Sequence, residues 1–178
     1  MEPSDATLVT QARSGDADAF AMLVARHYDA VFRLAWKLLG NRAEAEDLAQ
    51  DVSIGLATKL HGFREEARFS TWLHRVVVNT ARDRMRRRAR YAKAASGWGE
   101  VERARQTAAA EADAASAWLS AAMGALPDGL RETVALVLGE DLTHAEAAEV
   151  LDVSEGTISW RMSETRRRLR EIAEEEKA

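Results

Sequence analysis

Apolar residues recur along this chain at intervals of three and four, and the places where the rhythm stops divide it into helices. Phe20, Leu23, Val24, His27, Val31, Leu34, Ala35 and Leu38 keep helical spacing from a cap at Asp16 to a stop at Gly40. A shorter helix before it, capped by Asp5, carries Leu8, Val9 and Ala12 and ends at Gly15. Asn41 and Glu44 form a cap pair for a third helix to about Leu60; after the loop HGFREEAR a fourth runs from Ser70 and Thr71 to about Arg88. From Ala89 to Ser116 alanine and charge replace the rhythm, with Gly97, Trp98 and Gly99 as the landmark, which reads as a linker. Helices resume from Ala117 to a break at Pro127 and from Asp128 to Leu138. No stretch alternates with period two over β-branched residues, so the predicted fold is all-α: two small helical domains, 1–90 and 117–178, joined by a flexible linker, 91–116.

The segment 143–170, THAEAAEVLDVSEGTISWRMSETRRRLR, spells two helices joined by a tight turn. Thr143 caps the first, with Glu146 reaching back to the cap; Ser154 caps the second, after a turn at Asp152, a residue that tolerates the left-handed conformation. Ala147, Ala148, Leu151, Val153, Ile158 and Met162 are spaced to bury one seam between them. Glu155, Thr157, Ser159, Trp160, Ser163, Glu164, Arg166 and Arg167 are left as candidates to meet DNA, polar groups first and arginines last, the order that suits base edges followed by phosphates. The same pattern also occurs as a structural hairpin. Glu164 has two readings: it accepts from a cytosine amino group, or it pairs with Arg161 or Arg168 on its own helix.

Composition narrows the partners. The 178 residues include no cysteine, which removes disulfides and thiolate metal sites; no apolar run approaches the length a bilayer requires, and MEPSDATLVTQARSGD has the features of no secretion signal. A cytoplasmic protein without membrane insertion is expected. The net charge of −4 hides two basic patches. Residues 82–93 carry seven basic groups and one acid, and residues 161–170 five arginines and one glutamate, so the remaining surface is strongly acidic.

Two helices in the first domain carry candidate chemistry. In the third, Ala45, Leu48, Ala49, Val52, Leu56 and Leu60 line one face; Asp47, Gln50, Asp51, Ile54 and Thr58 line another, either a solvated surface or a docking face for a basic partner. In the fourth, Arg75, Asn79, Arg82 and Arg86 recur at four, three and four, a stripe suited to phosphates and bases. Ahead of it, Phe63, Arg64, Arg68 and Phe69 mix aromatics with cations, the combination that stacks and clamps unpaired bases; both phenylalanines also suit the core, and the sequence leaves Phe63 open between the two. No Glu-x-x-His pairs indicate a metal site, and the four scattered histidines make a helical enzyme built on Asp47 and Asp51 a poor reading, so neither catalysis, metal nor cofactor is expected.

Residues 20–90, with AEAEDLAQDV and FSTWLHRVVVNTARDRMRRRAR, resemble region 2 of the extracytoplasmic-function (ECF) sigma factors of bacteria; residues 118–170, with LPDGLRETVALV and SEGTISWRMSETRRRLR, resemble their region 4. The resemblance implies an alternative sigma factor, with a region 2 bundle and a region 4 helix-turn-helix domain. Asp47, Leu48, Gln50, Asp51 and Val52 match the stretch that docks on the clamp helices of the polymerase β′ subunit, beside Ile54. The loop from His61 to Phe69, with Phe63 and Arg64, matches the segment that captures a flipped base of the −10 element; Arg75, Asn79, Arg82 and Arg86 lie in the helix that tracks that element. The helix from Glu155 to Arg170 matches the −35 reader. Partners implied are core RNA polymerase, through β′ clamp helices and β flap, promoter DNA and an anti-sigma factor. Three departures stand out: Ser53 where an aromatic is usual, Asp152 where glycine is common, and Ser159, Trp160 and Glu164 in the −35 reader. The alternative is a two-domain helix-turn-helix regulator acting without polymerase.

Overall fold

The computed structural model describes residues 3–95 and 114–175, with side chains over 3–91 and 118–175. Among these residues are eight α-helices and no strand: α1 (Asp5–Arg13), α2 (Ala17–Leu39), α3 (Arg42–Lys59), α4 (Phe69–Ala95), α5 (Ala114–Ala125), α6 (Asp128–Val137), α7 (His144–Leu151) and α8 (Glu155–Glu175), with a 3-10 turn at Leu60–Gly62. Of the expected linker, 91–95 continue α4 and 114–116 open α5; residues 96–113, including Gly97, Trp98 and Gly99, lie outside the described residues.

Local side-chain chemistry sets most boundaries. Asp16 accepts from the Ala19 N–H, Asn41 from the Glu44 N–H, and Thr143 with Glu146 closes a reciprocal capping box. Gly40 and Asp152 end α2 and α7 in the left-handed region, at φ 68° and 55°. The first cap differs by one residue from the expectation: Ser4, not Asp5, accepts from the Thr7 N–H. Asp5 begins the helix instead, and its carboxylate bonds Arg26 and His27 of α2.

α2 is the axis of the first bundle, packed against α1, α3 and α4. Leu23, Leu34, Leu48 and Val77 are wholly buried there, and each such side chain removed from water contributes about 1.5–3 kcal/mol. α6, α7 and α8 form the second unit around Leu136, Leu151, Ile158 and Met162. The two units also pack on one another, α2 against α6 and α4 against α7, so their buried residues make one continuous core.

Candidate nucleic-acid interface

On α3 the two faces separate as their spacing requires. Asp47, Gln50 and Asp51 are exposed, and Ile54 is 76% exposed, an aliphatic side chain surrounded by water. Leu48 and Val52 point the other way, at 0% and 1% exposure. Leu48 therefore cannot touch a docking partner; it supports the helix from inside, because it falls on the same stripe as Ala45 and Leu56. Ser53 turns its hydroxyl back to the Ala49 carbonyl at 2.7 Å. Asp51 is held from α4, where Arg84 donates to its carboxylate at 2.5 Å and to the Glu44 carbonyl at 3.1 Å; Arg88 reaches the Glu44 carboxylate at 2.8 Å.

Between α3 and α4 the chain makes an aromatic corner. Phe63 and Phe69 meet edge-on with centroids 5.7 Å apart; Trp72 lies 5.2 Å from Phe63, and His27 5.1 Å from Phe69. Both phenylalanines are 5% exposed. Above them opens a cleft of about 400 Å³, lined by Gly62, Phe63, Arg64, Glu66, Ala67, Thr71, Trp72, Arg75 and, from α7, Glu149. Phe63 thus serves as core and lines the cleft, while Arg64 is exposed at its edge.

The α4 stripe forms as spaced, and part of it is engaged. Arg75, Asn79 and Arg86 are exposed. Arg75 donates to the Glu149 carbonyl. Arg82 makes a two-point pair with Glu132 of α6, both contacts 2.7 Å, and hydrogen bonding to that carboxylate raises the guanidinium pKa further. A second pair closes the same seam: Lys37 of α2 reaches Glu140 at 2.7 Å and donates to the Gly139 carbonyl. A β-carbon at Gly139 would run first into the Ala135 carbonyl and then lie 2.7 Å from the Lys37 Cδ, so the backbone itself requires glycine here and the lysine shares the space.

Along α8, Ile158 and Met162 face inward and Trp160 stands 63% exposed. Glu155, Ser159, Ser163, Arg166 and Arg167 are exposed with it, and Thr157 is half-buried, its N–H donating to the Ser154 cap. Ser159 lies 3.0 Å from His144 Nδ1. Glu164 accepts from Arg167 twice, at 2.9 and 2.5 Å, and from Arg168 at 2.9 Å. These bonds, first Arg167's and then Arg168's, lower its pKa to about 2.

An acidic face with one exposed aliphatic, a cleft beside a cationic stripe and a helix-turn-helix thus lie on one chain, and sequence comparison resolves what they belong to. The family model for Sigma-70 region 2 matches residues 23–91, and that for Sigma-70, region 4, matches residues 122–171. The chain is 31% identical over 173 residues to the ECF RNA polymerase sigma factor SigW of Bacillus subtilis, covering 91% of this chain and 92% of that one. It is 34% identical over 170 residues to the ECF RNA polymerase sigma factor SigM of Mycobacterium tuberculosis, covering 94% and 84%. The chain belongs to the ECF sigma factors. Its fold matches the structure of CnrH in complex with the cytosolic domain of CnrY with a TM-score of 0.72, at 28% identity over 96% of this chain and 97% of that one.

Several residues that shape this sigma factor's surfaces escape a reading by spacing. Glu132 gave one signal, a carboxylate three and four residues before Ala135 and Leu136 on an apolar face, where a charge needs a partner. Arg84 and Arg88 lie off the Arg75–Arg86 stripe and looked like general basic charge. Arg13, whose guanidinium lies against the loop before α4, gave no local signal. Among the described residues no His, Asp and Glu cluster could hold a metal ion, and no helix is long and apolar enough to cross a membrane.

Proposed function

We propose that this sigma factor docks on core RNA polymerase through Asp47, Gln50, Asp51 and Ile54, captures and holds the −10 element with Arg64, Arg75, Asn79, Arg82 and Arg86, and reads the −35 element with the exposed face of α8. The observation that carries the assignment is the α3 face: Ile54, 76% exposed, sits among acidic residues on a helix whose inner face is fully packed. An aliphatic side chain left in water beside carboxylates suits a partner that is basic and partly apolar. The cleft of about 400 Å³ has the size and lining for one unpaired base, with Trp72 for stacking and Arg64 and Arg75 for polar edges or phosphate. Residues 1–90 and 117–178 act as the two functional modules.

The chain supplies promoter address and strand capture, polymerase supplies the chemistry, and both act in the cytoplasm. An anti-sigma factor that covers the two regions regulates it, a reading supported by the similarity to CnrH, whose structure was solved with the cytosolic domain of CnrY. Transcription from genomic fragments with purified chain and core polymerase tests the assignment: the chain should direct initiation from a discrete set of promoters. Duplex binding at those promoters by the chain alone, with no effect on polymerase, would make it a regulator of a different kind.

A further inference from the structure

Arg13 stands in the last turn of α1, ahead of the residues matched to region 2, and reaches the segment that follows α3. Its Nε donates to the Leu60 carbonyl at 2.9 Å, one Nη donates to the Phe63 carbonyl, and the other meets the Glu65 carboxylate at 3.0 Å. The guanidinium carbon lies 5.9 Å from the centre of the Phe63 ring.

The three anchor points bracket the wall of the cleft. Gly62, Phe63 and Arg64 line it, and the bonds from Arg13 fall on residues 60, 63 and 65. The Leu60 carbonyl closes the 3-10 turn by accepting from the Phe63 N–H at 3.2 Å and takes Arg13 as a second donor, while the Phe63 carbonyl lies in irregular chain. Glu65 adopts φ 60°, a left-handed conformation uncommon for its residue type, and is held there by its ion pair with Arg13. One planar fork thus fixes the backbone on both sides of Arg64, which a lysine, a single point of charge, cannot do.

We infer that Arg13 is a positioning residue for base selection at the −10 element: it fixes the loop that walls the cleft, so that Phe63 and Arg64 accept one unpaired base in preference to others. The inference rests on the proposed reading of the cleft as the −10 capture site. A rigid wall discriminates because a poorly fitting base meets unpaired polar groups; a loose wall rearranges to meet it.

The test uses the full chain with core polymerase on promoters carrying each of the four bases at the captured position. Wild type should show a marked preference. Arg13→Ala should lower the ratio of best to worst base by about tenfold, the scale of one well-placed contact. Arg13→Lys should recover part of the ratio, and Glu65→Gln should lower it less than Arg13→Ala. Competition for core polymerase should not change. A common loss on all four promoters, with the ratio intact, would mean that Arg13 only stabilises the fold and would overturn the inference. If Arg13→Ala does not fold, the ratio is read from Arg13→Lys and Glu65→Gln, and wild-type discrimination in both overturns it equally. A wild-type chain with no base preference would remove the capture reading itself and the Arg13 assignment with it.

Discussion

Arg82 takes up both oxygens of Glu132: Nε meets one carboxylate oxygen and Nη2 the other, both at 2.7 Å, with the Glu132 side chain 4% exposed. The Nε–Nη2 edge is thereby taken up, and Nη1, 3.5 Å from the Asn79 Oδ1, is what the guanidinium has left for another acceptor. For DNA along α4 to use the paired edge, α4 must part from α6 and Glu132 must return to water. Losing one partner of a well-buried pair costs about 3–5 kcal/mol; Arg82 keeps some solvent, so about 1–3 kcal/mol is expected for Glu132→Gln. The variant should have a larger radius of gyration by small-angle scattering and bind −10 DNA more tightly without polymerase. An unchanged radius with unchanged DNA affinity would show that the pair does not hold the two units together.

His74 makes the same seam sensitive to pH. Its Nδ1 is buried without a partner. Burial lowers its pKa below 6.5, with His27 and Lys37 acting in the same direction and Glu140 and Glu146 opposing. The folded form takes up this proton less readily than the unfolded chain, so His74 is neutral in both above pH 6.5 and has no effect on stability there. As pH falls below 6.5 the unfolded chain protonates first and the folded form loses stability, until the folded-state pKa is passed. Melting temperatures from pH 7.5 to 5.5 should fall more steeply for wild type than for His74→Gln; parallel curves would assign the pH dependence to other groups.

The docking helix yields a paired test. Leu48→Ala opens a cavity in a filled core and should cost about 2–5 kcal/mol of stability, with polymerase affinity falling only as the fold is lost. Ile54→Ala and Asp51→Arg should leave stability within about 1 kcal/mol of wild type, because both side chains are exposed and the Asp51–Arg84 pair is at the surface. Each should nevertheless weaken competition for core polymerase by about 1–3 kcal/mol. Undiminished competition by both would move the docking face elsewhere.

The features legible in the sequence are those whose causes are local. Asp16, Asn41, Thr143 with Glu146, Ser154 and Asp152 act within a turn of the backbone they cap, so the sequence order carries their geometry. The first cap falls at Ser4 and not at Asp5: the two are adjacent and both able to cap, and Arg26 and His27 hold Asp5 elsewhere. Leu48 shows a limit of family resemblance: a motif records which residues occur together, while the three-and-four spacing records which of them face inward. Arg82 with Glu132 and Arg13 with Leu60 join residues 50 and 47 positions apart. Contacts at that distance are set by how helices pack, and no periodicity within either helix specifies them.

Glu164 tests whether the −35 reader uses its carboxylate on a base or on its own arginines. Arg167 and Arg168 hold both of its oxygens, and the side chain is 17% exposed, so presenting the carboxylate to a cytosine would require undoing bonds already made. With its pKa lowered to about 2, Glu164 stays ionised at every pH used for DNA binding; what the pairs contribute is present above pH 4.5 and lost as pH falls through about 2. Its expected role is to align Arg167 and Arg168 toward phosphates and to temper the charge of the helix. Glu164→Gln adds one net positive charge to α8 without changing shape. Affinity for all −35 sequences should therefore rise together, and the slope of log affinity against log salt should steepen by about one. Trp160→Ala should instead change which sequences are preferred, because Trp160 is the large apolar side chain exposed on that face. Selection of bound −35 sequences separates the two behaviours: a loss of preference confined to one cytosine-containing position in Glu164→Gln would mean that the carboxylate leaves its arginines and reads the base.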